Sequence, residues 1–211
     1  MSESFMPKGN AIARHLSFSP PGFSGFAKGL REAREATGRD PSDGCIVSPE
    51  KQSSWLGAMG YMALLDQIGT CFKPSASSLI TTGNAISKAL KYFSTLSDGE
   101  INALYALRCA FAHDYSLYNI NSRPGLTHCF EVAIRPGKPA VTLPASPWDG
   151  DYQNKPKSCH TIVSLQGIGD LVEGICGQLF DLANEGKLDV LLTNGSDELL
   201  QRYSFMERPV S

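Results

Sequence analysis

Between Ala103 and His113 the only readily charged side chains are Arg108 and His113, and Asp114 and Tyr115 follow directly. A guanidinium on an apolar helix is costly if unpaired, so Arg108 must meet a carboxylate, a cluster of carbonyls or an external anion. Asp66, embedded in the equally apolar stretch MALLDQIG, is the candidate partner for an internal ion pair. Arg108 and His113 stand five positions apart, which is about 140° around a regular helix. Bringing them to one point needs the long Arg stem, a helix end near Asp114, or a second copy of the helix across a symmetric dimer. Tyr115 shares the Arg108 face. Cys109 and His113, four apart on one face, together with His128-Cys129 and Cys159-His160, raise the question of zinc. Neighbours on a strand point to opposite faces, so each adjacent pair supplies one ligand, and no standard ligand spacing is present. No metal is expected.

The helix that presents these residues opens at Ser97-Asp98-Gly99-Glu100, a capping box in which Ser97 and Glu100 satisfy each other's orphaned N–H groups. Projected at helical spacing, Ile101, Leu104, Tyr105, Leu107, Phe111, Ala112 and Tyr115 form one broad face with Arg108 in its middle. Ala103, Ala106 and Ala110 opposite admit another helix closely, which predicts a central helix contacted on nearly all sides.

Its partners are legible by cap and periodicity. Ser48-Pro49-Glu50 predicts the start of a long core helix running to about Phe72, and Asn84 caps a second over 84–93 with Ile86, Leu90 and Phe93 inward. Residues 160–185 begin β-branched and turn helical, with Leu165, Ile168, Leu171, Val172, Ile175, Leu179 and Phe180 at helical spacing and Gly186 as the stop. LDVLL, the turn NGSD and a short helix to about Phe205 follow. THCFEVAI and AVTL flank RPGKP and predict a β-hairpin, with PASPWDGDYQNKPK as an exposed loop. Residues 1–22 end in SPPG and read as a loosely held arm. A short amphipathic helix over 23–37 turns Phe23, Phe26 and Leu30 inward, leaving Lys28, Arg31 and Arg34 as a solvated basic face. The expected organisation is an arm and short helix over 1–47, then a mainly α domain over 48–211 with the hairpin and loop at about 127–157.

A chain of 211 residues, 42% hydrophobic and 19% charged, suits one globular core. A formal net charge of -2 gives no global attraction to phosphate backbones and disfavours a non-specific nucleic-acid binder, so any such binding must be local. No stretch approaches a membrane span, and the first residues lack the basic-then-apolar order of a signal peptide, so a cytoplasmic protein with reduced cysteines is expected. Trp148, in the PWDGDY loop, reads as an exposed recognition surface. His15, His128 and His160 show no partner pattern.

The string Arg108-Cys-Ala-Phe-Ala-His113-Asp-Tyr115 resembles the signature of the HEPN superfamily, an Arg followed after four to six residues by His, and especially the HepT-type form with Tyr two positions beyond. The resemblance implies a helical bundle that dimerises to bring two motifs to one cleft and cleaves RNA without a metal or cofactor. His113 would be the general acid–base and Arg108 the stabiliser of charge on phosphorus. Tyr115 would position RNA, with Asp114 and Cys109 beside it at the substrate. In HepT-like relatives the Tyr is the residue modified by a partner nucleotidyltransferase, and such proteins act as toxins held by an antitoxin partner. Cys109 departs from the polar residue, commonly Asn, that active members carry. Two functions from different classes therefore stand: a HEPN-type ribonuclease, or an inert HEPN-like module binding RNA, nucleotide or a protein partner.

Overall fold

The computed structural model describes residues 8–17, 23–133 and 136–205. Helix α3 (Trp55–Cys71) is the hub, packed against α2 (Gly25–Ala36), α4 (Ala85–Phe93), α5 (Asp98–Asp114) and α6 (Leu165–Asn184). Ala58, Tyr61, Met62, Leu64, Leu65 and Ile68 are buried along it, while Leu56 and Ala63 mark its exposed side. Gly69 is required where α4 arrives: a Cβ there would overlap the Ala85 carbonyl. The fold is mainly α, with three small sheets among the described residues.

Caps set the main boundaries. Asn84 Oδ1 accepts from Ser87 N–H and starts α4, while Ser97 and Glu100 form the reciprocal box that starts α5. The start of α3 falls later than the Ser48-Pro49-Glu50 signal implies. Those residues open a single 3₁₀ turn, Pro49–Lys51, and Ser54 caps the helix proper by accepting from Gly57 N–H. The delay has a tertiary cause: the buried Gln52 side chain bonds the Thr37 carbonyl and Arg39, tying this segment to the end of α2.

Residues 8–16 form a helix, α1 (Lys8–Leu16), where an arm was expected. Ala11, Ile12, His15 and Leu16 share one face and are buried against the rest of the fold. In sequence the stripe is interrupted by Ala13 and Arg14, both exposed, which breaks the apolar run. The boundary at residue 47 thus separates no independent unit, since Ile12, Leu16, Phe26 and Leu30 lie in the same core as α3 to α6. Ser19–Gly22, the SPPG segment, lie outside the described residues.

The expected hairpin does not form. Strands β3 (Tyr118–Asn119), β4 (His128–Val132), β5 (Val141–Thr142) and β6 (His160–Val163) make one sheet in the order β3-β4-β6-β5, with β6 parallel to β4 and β5 antiparallel to β6. The start of α6 draws the RPGKP exit away from β4: Ser164 N–H donates to Ala140 O at 3.1 Å, and a Cβ on Gly167 would press on the 138–140 backbone. The place beside β4 goes to β6, whose Thr161 and Val163 are buried. Two short antiparallel pairs complete the fold, β1 (Phe23–Ser24) with β8 (Ser204–Phe205), and β2 (Phe72–Pro74) with β7 (Leu188–Val190), which flank α7 (Gly195–Tyr203).

Candidate functional site

Helix α5 lies between α3 and α4 on one side and the four-stranded sheet on the other. Ile101, Ala103, Leu104, Ala106, Leu107, Ala110 and Phe111 are buried, whereas Asn102, Tyr105, Arg108 and Cys109 are half-exposed and Ala112 and His113 are exposed. The central helix is therefore α3, and α5 keeps an open stripe. Arg108 sits at the edge of that stripe, not in the middle of the apolar face, because Tyr105 and Ala112 turn outward.

Arg108 meets Asp66 of α3: Nε donates to Oδ2 at 3.0 Å and Nη2 lies 2.8 Å from the same oxygen. Their side chains remain 36% and 31% exposed, so water screens the pair and it contributes at most about 1 kcal/mol. Nη1 has no hydrogen bond to the described residues. Asp66 fixes the guanidinium but leaves one edge open.

His113 and Asp114 are exposed at the end of α5, and among the described residues no hydrogen bond or ion pair joins His113 to Arg108. Tyr115 is the described non-glycine residue with a left-handed backbone, φ 53° and ψ 35°. Only the surrounding structure holds a tyrosine there, at a cost of roughly 1–2 kcal/mol. Its N–H donates to Phe111 O at 3.3 Å, and Ser116 N–H reaches back to Ala110 O at 3.2 Å, which closes the helix on these two carbonyls. The turn sends the ring, 57% exposed, onto Trp55 at 6.5 Å between centroids and 28° between planes. Trp55 in turn packs on Phe111 at 4.3 Å. The first residue of α3 and the end of α5 thus build an aromatic step in the same inter-helix seam as the Arg108–Asp66 pair.

Cys109 faces Tyr105 one turn earlier, and the Tyr105 hydroxyl, donating toward this sulfur, is held above its ordinary pKa first by that hydrogen bond and then by burial. Among the described residues no three His, Cys, Asp or Glu side chains gather as a metal site. His128 has both ring nitrogens engaged: Nε2 donates to Gly125 O at 3.1 Å, and Nδ1 accepts from Thr161 Oγ1 at 2.8 Å. His160 Nδ1 pairs with Glu131 at 3.0 Å. Trp148 is buried, not displayed; its Nε1 donates to Asp151 O and Asn154 O, both at 3.1 Å.

The densest charged network lies elsewhere. Arg34, expected on a solvated face, is buried and grips Glu173 of α6 through Nε at 2.8 Å and Nη2 at 2.7 Å, while Nη1 donates to Pro41 O and Ser42 O. Tyr61 Oη donates to Glu173 Oε1 at 2.7 Å, and burial, then this carboxylate, pushes the Tyr61 hydroxyl far up. Arg39 pairs with Asp170, one helical turn before Glu173. Arg34 follows the inward Leu30 by four positions, a spacing that points it to the core. Its partner is 139 residues away, beyond any local pattern.

Comparison with protein-family models gives no match, and neither curated proteins nor solved structures give one. No helix among the described residues is long and apolar enough to cross a membrane.

Proposed function

We propose that the C-terminal end of α5 is a metal-independent RNA-cleaving site of the HEPN type, with Arg108 and His113 as its catalytic residues. The supporting observation is the arrangement at this end: an exposed imidazole without a protein partner among the described residues, a guanidinium held by Asp66 with Nη1 open, and Tyr115 strained onto Trp55. Imidazole is suited to give and take a proton at neutral pH, here at the ribose 2′-hydroxyl or the leaving oxygen. Arg108 would meet the extra charge on phosphorus, Asp66 would be its positioning residue, and the Trp55–Tyr115 step would stack an unpaired base. Cys109 and Asp114 flank the substrate path. Arg108 and His113 leave the helix in different directions, so the reading includes a homodimer in which each Arg works with the other copy's His. The exposed Tyr115 hydroxyl is also where a partner nucleotidyltransferase would act in a toxin–antitoxin setting. The reading places the protein in the cytoplasm, where RNA is.

A second reading, an inert module binding RNA, nucleotide or a protein partner, is favoured by one observation: Asp66 already balances the Arg108 charge, so no substrate anion is needed to explain it. Incubation of single-stranded RNA in EDTA separates the two. The enzyme reading expects products ending in a 2′,3′-cyclic phosphate and a 5′-hydroxyl; intact RNA removes it and leaves the module. Tyr115→Ala is expected to weaken single-stranded RNA binding by roughly fivefold or more, since a stacked base is worth about 1–3 kcal/mol. Fluorescence anisotropy with labelled RNA measures this, and unchanged affinity rejects the stacking role.

A further inference from the structure

The segment between β5 and β6 is a compact Ω-loop. Ser146 N–H donates to Ser158 O at 3.1 Å across its neck. Trp148 fills the inside, packing on Tyr118 and Tyr152 with centroids 5.6 Å away in each case. Beneath Trp148 lie Cys129 and Cys159, only 2% and 3% exposed, in a small apolar cluster separate from the main core. The parallel register pairs Cys129 with His160, and Cys159, the last residue of the 3₁₀ turn Lys157–Cys159, directly precedes that partner. Both side chains pack into the one cluster under Trp148, so the two thiols share a single apolar pocket. The thiols also sense each other: after burial, Cys159 is the next cause pushing the Cys129 thiol up.

The remaining cysteines have other neighbours. Cys45 is exposed beside Asp43, Cys71 lies against Tyr203, Cys109 against Tyr105, and Cys176 near Glu173.

We propose that Cys129 and Cys159 are a redox pair that closes into an intramolecular disulfide when the Ω-loop opens to a small disulfide oxidant such as oxidised glutathione. One protein thiolate attacks the oxidant's S–S bond, forms a mixed disulfide and releases one glutathione thiolate. The second protein thiolate then attacks the protein sulfur of the mixed disulfide and expels the other glutathione. The protein loses two protons and two electrons, and the oxidant is reduced to two thiols. Trp148 controls the rate, because both sulfurs are covered while it is seated. The bond staples the outgoing foot of the loop to β4, fixing the face that carries Tyr118 and Tyr152.

The test uses the full chain with oxidised glutathione at pH 8, trapping with N-ethylmaleimide over time, intact mass and peptide mapping. The expected product, read in a Cys45→Ser background because that thiol is exposed, is lighter by two hydrogens, with Cys129 linked to Cys159, and it forms several-fold faster when Trp148→Ala is added. Cys129→Ser and Cys159→Ser are each expected to stop at a single glutathione adduct on the remaining partner. Linkage to any other cysteine, or a pair that stays unlinked even in Trp148→Ala, overturns the proposal.

Discussion

Glu173→Ala is expected to be among the most damaging single substitutions, lowering stability by about 3–5 kcal/mol. Glu173 accepts two hydrogen bonds from Arg34 and one from Tyr61, and the Arg34 and Glu173 side chains are only 6% and 15% exposed. Removing the carboxylate leaves a guanidinium and a phenol buried without it. The same guanidinium holds the carbonyls of Pro41 and Ser42, so the loop after α2 loses its anchor as well. For a chain of this size the loss corresponds to a fall in Tm of roughly 10 °C. Arg34→Met with Glu173→Leu removes both charges at similar volume and is expected to recover part of the loss, the rest staying lost because Tyr61 and the Pro41 and Ser42 carbonyls keep no partner there. Urea unfolding of the three proteins measures this; a Glu173→Ala chain within about 1 kcal/mol of the parent contradicts it.

Acid is expected to destabilise the protein well before ordinary carboxylates titrate, and His15 is the cause. Its ring is fully buried among Phe26, Phe72 and Tyr203, with Ser24 and Gln67 at its two nitrogens, and burial lowers its pKa to about 4. An unfolded histidine titrates near 6.5. Below that pH the unfolded chain binds a proton that the folded chain excludes, so stability falls as pH falls, by about 1.4 kcal/mol per pH unit. The loss runs from about pH 6.5 to about pH 4 and totals roughly 3 kcal/mol, after which both states are protonated. Burial also lowers the pKa of His128, which adds in the same direction. The check is the slope of unfolding free energy between pH 7 and pH 4.5, compared with His15→Phe. A flatter slope in the variant is expected, whatever its absolute stability; equal slopes contradict the assignment.

Local chemistry made part of this molecule readable in sequence. Asn84 and the Ser97–Glu100 box are satisfied within one turn, so they mark α4 and α5 without help from the rest of the chain. Asp66 and Arg108 were conspicuous as partners because each interrupts an apolar helix. Non-local choices were not readable. Whether β4 pairs with β5 or β6 depends on where α6 packs, and α1 hides an apolar stripe among polar residues. Arg34 looked like one of three surface cations, and only the folded chain brings Glu173 to it. At the site, residue types were legible but directions were not: no pattern announces that Tyr115 adopts a left-handed backbone or that its ring finds Trp55.

RNA cleavage in EDTA by His113→Ala, Arg108→Ala and the parent, each verified as folded by circular dichroism, tests the central claim most directly. Because His113 is exposed and the Arg108–Asp66 pair is partly solvated, both variants are expected to stay folded. The HEPN-type reading predicts cleavage by the parent and a loss of at least about 100-fold in either variant. Parent-level cleavage by both folded variants, or none by the parent, contradicts it.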